Sequence, residues 1–146
     1  MATTDILARD FTFETNTGTH GAPVWVAVGG LETWNHKPAT TKAKTNKFSN
    51  AGRASHLVAT RGDTFTLKGL YQEDEANGNR DAGQEALETL GVAVGSDSIK
   101  QFRITSPGGT VKTFDCSAEV TVGGGSDDDA TTWECELEVS GAITVS

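Results

Sequence analysis

The chain has 146 residues with 12 basic and 20 acidic side chains, a net charge of −8 and a pI near 4.7. That length suits one domain, residues 1–146, able to fold without staples, and the acidic balance excludes tight nucleic-acid binding, which needs phosphates neutralised by Lys and Arg. The longest apolar run, Val24 to Val28, falls far short of the roughly 20 residues that cross a bilayer, and the start of the chain lacks a basic region followed by an apolar one, so a soluble, unsecreted chain without membrane insertion is expected.

Two cysteines and three scattered histidines, with no CxxC spacing, offer no zinc site, and no cofactor is expected. Seventeen glycines among many Thr and Val favour strands and tight turns. The fold class read from this composition is mainly β with a minor helix.

In chain order, residues 1–10 read as an N-terminal arm whose Ile6 and Leu7 could pin it to a neighbour. Phe11 to Glu14 alternates in the β manner, Asn16 to Gly21 is turn chemistry, and Val24 to Val28 is a short buried strand, giving an opening hairpin with Trp25 at a core position. Thr40 to Phe48 and Ser55 to Thr60 then predict a long projecting hairpin or ordered loop turned at Ser49 to Arg53. Asp63 to Tyr71 alternates cleanly, with Phe65, Leu67 and Gly69 on one face. Asp81 and Gln84 form a capping-box pattern, Ala82, Ala86, Leu87 and Leu90 recur at helical spacing, and Gly91 is a natural C-cap, so one helix is expected over about 81–91.

Ile99 to Thr105 predicts a strand, and Ser106-Pro107-Gly108-Gly109 a type II turn. On the return strand, Thr110 to Val122, the even positions from Phe114 to Val122 read as core. After the glycines at 123–125 and Asp127 to Asp129, a last strand Thr132 to Val139 turns Trp133, Cys135, Leu137 and Val139 inward. A pairing centred between Gly125 and Ser126 would set Cys116 opposite Cys135 as neighbouring core thiols or, less readily, as a cross-strand disulfide. The opposite face of the two strands is markedly acidic.

Catalytic signatures are missing: there is no GxSxG, HExxH, phosphate-cradling loop or dinucleotide fingerprint, so no enzyme is expected. The three consecutive Asp of the glycine-rich tip lack the spaced ligands of a calcium loop. The one strong signal is charge sorting. Thr33 to Gly62 holds Lys37, Lys42, Lys44, Lys47, Arg53 and Arg61 and no acid, leaving 6 basic and 20 acidic side chains elsewhere, +6 against −14. Copies docking this segment onto the acidic body of a neighbour would gain electrostatic complementarity. A solvated Lys-rich loop is the bland alternative, but Trp34, Phe48, Leu57 and Val58 do not suit one.

Val28-Gly-Gly-Leu-Glu-Thr-Trp34, Asn50 to Asp63, Asp81 to Ala86, Gln101 to Gly109 and the glycine-rich acidic tip together make the chain resemble the major tail tube proteins of long-tailed bacteriophages infecting actinobacteria. The resemblance implies a tail-tube-type β-sandwich or half-barrel with one flanking helix and a long projecting element (about 34–61). It further implies hexameric rings stacked into a tube that conducts the genome, in a virion tail made in the host bacterial cytoplasm. The implied partners are the chain itself and tape measure, tail terminator and distal tail proteins, with DNA passing through without specific binding. By position the assembly loop 33–62 matches the element that reaches other subunits, with Trp34, His36, Lys37, Lys42, Lys44, Lys47, Phe48, Arg53, His56 and Arg61 as interface candidates. Asp115, Glu119, Glu134, Glu136 and Glu138 become candidates for the lumen wall, although the same face could be the tube exterior. The competing reading is a monomeric β-sandwich module binding carbohydrate or a host receptor through Trp34 and the loop tips.

Overall fold

A computed structural model describes residues 3–44 and 56–146. Seven strands, β1 (Thr12–Asn16), β2 (Trp25–Ala27), β3 (Leu31–Lys44), β4 (His56–Leu70), β5 (Lys100–Thr105), β6 (Val111–Val122) and β7 (Thr132–Val145), form one antiparallel sheet in the order β2-β1-β5-β6-β7-β4-β3. One α-helix, α1 (Ala82–Gly91), covers part of it. Of the two forms expected, sandwich and half-barrel, the single curled sheet is the half-barrel.

The curl follows from where the apolar residues fall. Phe65, Leu67, Phe102, Phe114, Trp133 and Leu137 alternate along their strands and are all buried on one face, which must be covered to stay dry. At the mouth of the curl, Trp34 on the edge strand β3 meets Phe11 and Phe13 at ring-centroid distances of 4.9 and 5.5 Å, although β1 and β3 lie near opposite ends of the strand order. Contacts of this kind contribute about 0.5–1.5 kcal/mol each beyond burial.

The helix covers the rest. Asp81 caps it by accepting from the Gln84 backbone N–H, and Leu87 and Leu90 face the sheet. Ala82, expected on the apolar stripe, is exposed, and Gly83 and Gln84 are buried instead. Gly83 has to be Gly, because a Cβ there would lie 2.2 Å from the Ala27 carbonyl oxygen. Gln84 does not reach back to the cap: its side chain, fully buried, donates to the carbonyls of Gly29 (3.0 Å) and Leu70 (2.8 Å) and accepts from the Gln72 N–H (3.2 Å). One amide thus ties α1 to the β2–β3 turn and to the end of β4. Nor does Gly91 adopt a left-handed cap; it lies inside the helix, and Val92 follows it in right-handed conformation.

Other local expectations shift in instructive ways. The Ser106–Gly109 turn puts the positive φ on Gly109 rather than Gly108, as a type I turn with a glycine after it requires. β6 and β7 pair with Cys116 opposite Val139 and Cys135 opposite Val120, so the cysteines are not cross-strand partners. The turn is centred on Asp127 and Asp128, closed by Asp129 bonding to Ser126, and not on the glycines before it. Both thiols are free and buried, which pushes Cys116 up to about 12 and Cys135 upward as well, so they are packing residues. Val122 stays exposed at the end of β6. Trp25 lies on the polar face, half-buried, with the Arg103 guanidinium 4.4 Å from its ring centre.

Beneath the helix, Glu88 accepts from Arg80 and from the indole N–H of buried Trp133 (3.0 Å), while Arg80 also covers the Tyr71 ring at 4.0 Å. Burial pushes the Glu88 carboxyl up, but the two hydrogen bonds and the Arg80 charge outweigh it and hold it below the usual range. A depressed carboxylate stabilises the fold above its unfolded pKa and loses that contribution as pH falls through the folded one.

Two outcomes follow. Gln84→Leu keeps the volume but strands two carbonyls and an N–H, which should cost about 2–3 kcal/mol and lower the melting temperature by roughly 6–12 °C in a scan. Glu88→Gln should destabilise the fold most near neutral pH, and its deficit against wild type should shrink in denaturant titrations as pH falls through and below the usual carboxylate range.

Candidate assembly surface

Strands β3 and β4 pair with each other from Leu31 opposite Gly69 out to Lys44 opposite His56, whereas β4 pairs with β7 only over Thr64 to Leu70. Beyond Thr64 the two strands, 38–44 and 56–63, leave the sheet as a two-stranded arm. Its base is held by His36, whose ring stacks on Phe65 (4.2 Å) and whose Nε2 lies 2.8 Å from Asp63 Oδ1; Phe65 stacks in turn on Phe114 (4.7 Å).

The candidates from the basic segment therefore divide. Trp34 and His36 are half-buried and turn inward, rooting the arm rather than decorating it. Lys42 and Arg61 are exposed on it, and Lys37, opposite Thr64, is exposed at its base. Lys44 and His56 are its outermost paired positions. Lys47, Phe48 and Arg53 lie outside the described residues.

The acidic candidates share the sheet face opposite the core and the helix. Directly paired residues point the same way, so the rows run Lys68–Glu134–Thr121, Thr66–Glu136–Glu119 and Thr64–Glu138–Ser117. Glu119, Glu134, Glu136 and Glu138 are exposed; Asp115 is half-buried and 3.0 Å from His20. Lys68, not foreseen in this role, lies 3.5 Å from Glu134. Glu119 and Glu136 face each other as like charges, an arrangement that works against the isolated fold. Among the described residues no three metal-ligating side chains converge.

A second acidic region lies at the far end from the arm. The β4–α1 connection carries Glu73, Asp74 and Glu75, and the β6–β7 turn carries Asp127, Asp128 and Asp129; the Tyr71 N–H bonds the Thr131 carbonyl at 2.9 Å, holding the two side by side. Each run is visible in the sequence, but their neighbourhood is not, since 51 residues, 76–126, separate them. The subunit is thus polar along β4, basic at the arm and acidic at the opposite loops.

No family model and no curated protein matches the chain. Solved structures do. A chain in the virion of a native gene transfer agent (GTA) particle superposes with a TM-score of 0.68 at 12% identity, over 96% of this chain and 98% of that one. A chain in the tail of an empty GTA particle, of C6 symmetry, gives 0.71 at 13%, over 96% and 98%. One in the sheath–tube complex of an extracellular contractile injection system (PVC) in the extended state gives 0.58 at 11%, over 97% and 91%. The single curled sheet with its flanking helix is accordingly a tail-tube β fold.

Proposed function

We propose that this chain is a structural, non-enzymatic subunit that assembles with copies of itself into stacked hexameric rings, forming a tail tube that conducts a genome out of a virion. The observation that carries this reading is the arm: two strands that outrun the sheet, with exposed basic side chains and with backbone edges that nothing among the described residues pairs. Unpaired edges invite strand addition from another chain, and the acidic loops at the opposite end supply a complementary surface on the next copy. The C6 symmetry of the GTA tail supports six subunits per ring.

In this reading the acidic face, uncovered by the helix, lines the lumen. Glu119, Glu134, Glu136 and Glu138 would repel phosphates, so that DNA passes without adhering. Tape measure, terminator and distal tail proteins would meet the tube at its ends and along its bore. The alternative of a monomeric binding module needs an exposed aromatic platform; Trp34 packs on Phe11 and Phe13 and Trp25 under Arg103, so neither tryptophan among the described residues offers one.

Negative-stain microscopy of the purified protein should show rings or tubes, and a strictly monomeric species at high concentration would sink the proposal. Changing Lys37, Lys42 and Arg61 together to Glu should leave the monomer's melting temperature nearly unchanged while light scattering shows assembly lost or strongly weakened; equal tube yield would remove the arm from the contact. The double change Glu119→Gln and Glu136→Gln should raise monomer stability by about 0.2–1 kcal/mol by relieving the like-charge pair, and tubes built from it should retain more DNA in a low-salt pull-down than wild-type tubes.

A further inference from the structure

The arm and the acidic surfaces leave one pair of apolar features unused. Ile6 and Leu7 precede a single 3-10 turn (Ala8–Asp10) and are 51% and 52% exposed. Elsewhere a groove of about 490 Å³ opens between the end of β1 and the C-terminal half of α1, with Ala86, Leu90 and Ala93 among its lining residues and Asp97 and Lys100 beside them. Val92 and Val94, on either side of Ala93 in the chain, are 82% and 84% exposed. Aliphatic side chains left this open on both features lose contact with water only if something covers them.

We propose that the N-terminal arm of one copy seats Ile6 and Leu7 in this groove on a neighbouring copy, a contact that rests on the self-assembly reading above. Charge order supports the pairing. Asp5 lies just before the two apolar residues and Arg9 just after them, and the groove offers Lys100 and Asp97, neither of which has an ion-pair partner among the described residues. Reach excludes the subunit's own arm. Ala8 is tied to Phe11 at the start of β1, and Ala8 and Arg9 line a separate cavity with Phe11, Glu32 and Trp34. The groove lies beyond Thr15, about 13 Å further along the strand, whereas Ile6 and Leu7 are only one or two residues from Ala8 and reach about 7 Å at most.

Cross-linking tests the contact. Leu7→Cys subunits are mixed with Ala93→Cys subunits, assembled and mildly oxidised; the native thiols are buried. A mixed disulfide-linked dimer on a non-reducing gel, much stronger than from either variant alone, is expected. Tubes without that dimer, both with Ala93→Cys and with Thr89→Cys as a second groove position, would overturn the proposal while leaving the tube reading standing. A link formed within one chain carrying both Leu7→Cys and Ala93→Cys would also overturn it. Wild-type protein that never assembles would refute the tube reading, and this contact with it. Independently, Leu7→Asp should leave the melting temperature unchanged and raise the concentration for half-assembly by about tenfold or more, the equivalent of losing one buried leucine; an unchanged concentration would refute the contact.

Discussion

An antiparallel sheet that buries only one face has to cover that face, and here the covering organises everything else. The sheet does part of the work by curling until Trp34 reaches Phe11 and Phe13, and α1 does the rest. The helix can lie close only because Gly83 carries no side chain where it crosses β2, and it holds its place because Gln84 takes up the carbonyls that the β2–β3 turn and the end of β4 leave inside. A buried amide in such a place is a precise fastener: fully satisfied it fixes one arrangement, and unsatisfied it would oppose folding. The same closure anchors the arm, since His36 and Phe65 continue the core-facing rows of β3 and β4 outward to the point where the sheet ends.

With one face closed, the other is left to solvent, and what it carries is not what a monomer's stability favours. Glu119 opposite Glu136 and the file of glutamates along β7 oppose one another, relieved at one end by Lys68. Exposed ion pairs of that kind contribute little, so the face retains a net repulsion.

Much of this was legible in the sequence. Strict alternation placed Phe65, Leu67, Phe114, Trp133 and Leu137 inside, and the charge count singled out the arm before any strand was assigned. What could not be read were the features that depend on register and on distant neighbours. Alternation gives a residue's face but not its partner, and the β6–β7 register slipped because the turn is made by Ser126 to Asp129 bonding to itself, while the three glycines before it, the stronger turn signal, only lead into it. A five-residue apolar run has no period to separate its faces, and Trp25, at a core position by sequence, lies under Arg103 outside. For Gln84 the sequence shows a capping pattern with Asp81 and not the pair of carbonyls that its side chain meets across the fold. The acidic end opposite the arm went unseen for the same reason, as its two runs become neighbours only when β4 and β7 pair.

The arm itself poses a problem that its charge resolves. Two strands that have no flanking partner among the described residues expose backbone donors and acceptors along both edges, an invitation to indiscriminate pairing. Lysines along β3 counter this, because two arms approaching each other bring like charges together, whereas an arm approaching an acidic surface does not. In the proposed assembly the same side chains would favour basic end to acidic end over arm against arm. A contact of this head-to-tail kind does not close on itself along the axis, and repetition of it generates a filament rather than a dimer. In the self-assembly proposed above, this sorting gives the thirty consecutive residues without an acid, Thr33 to Gly62, a role at the contact between copies.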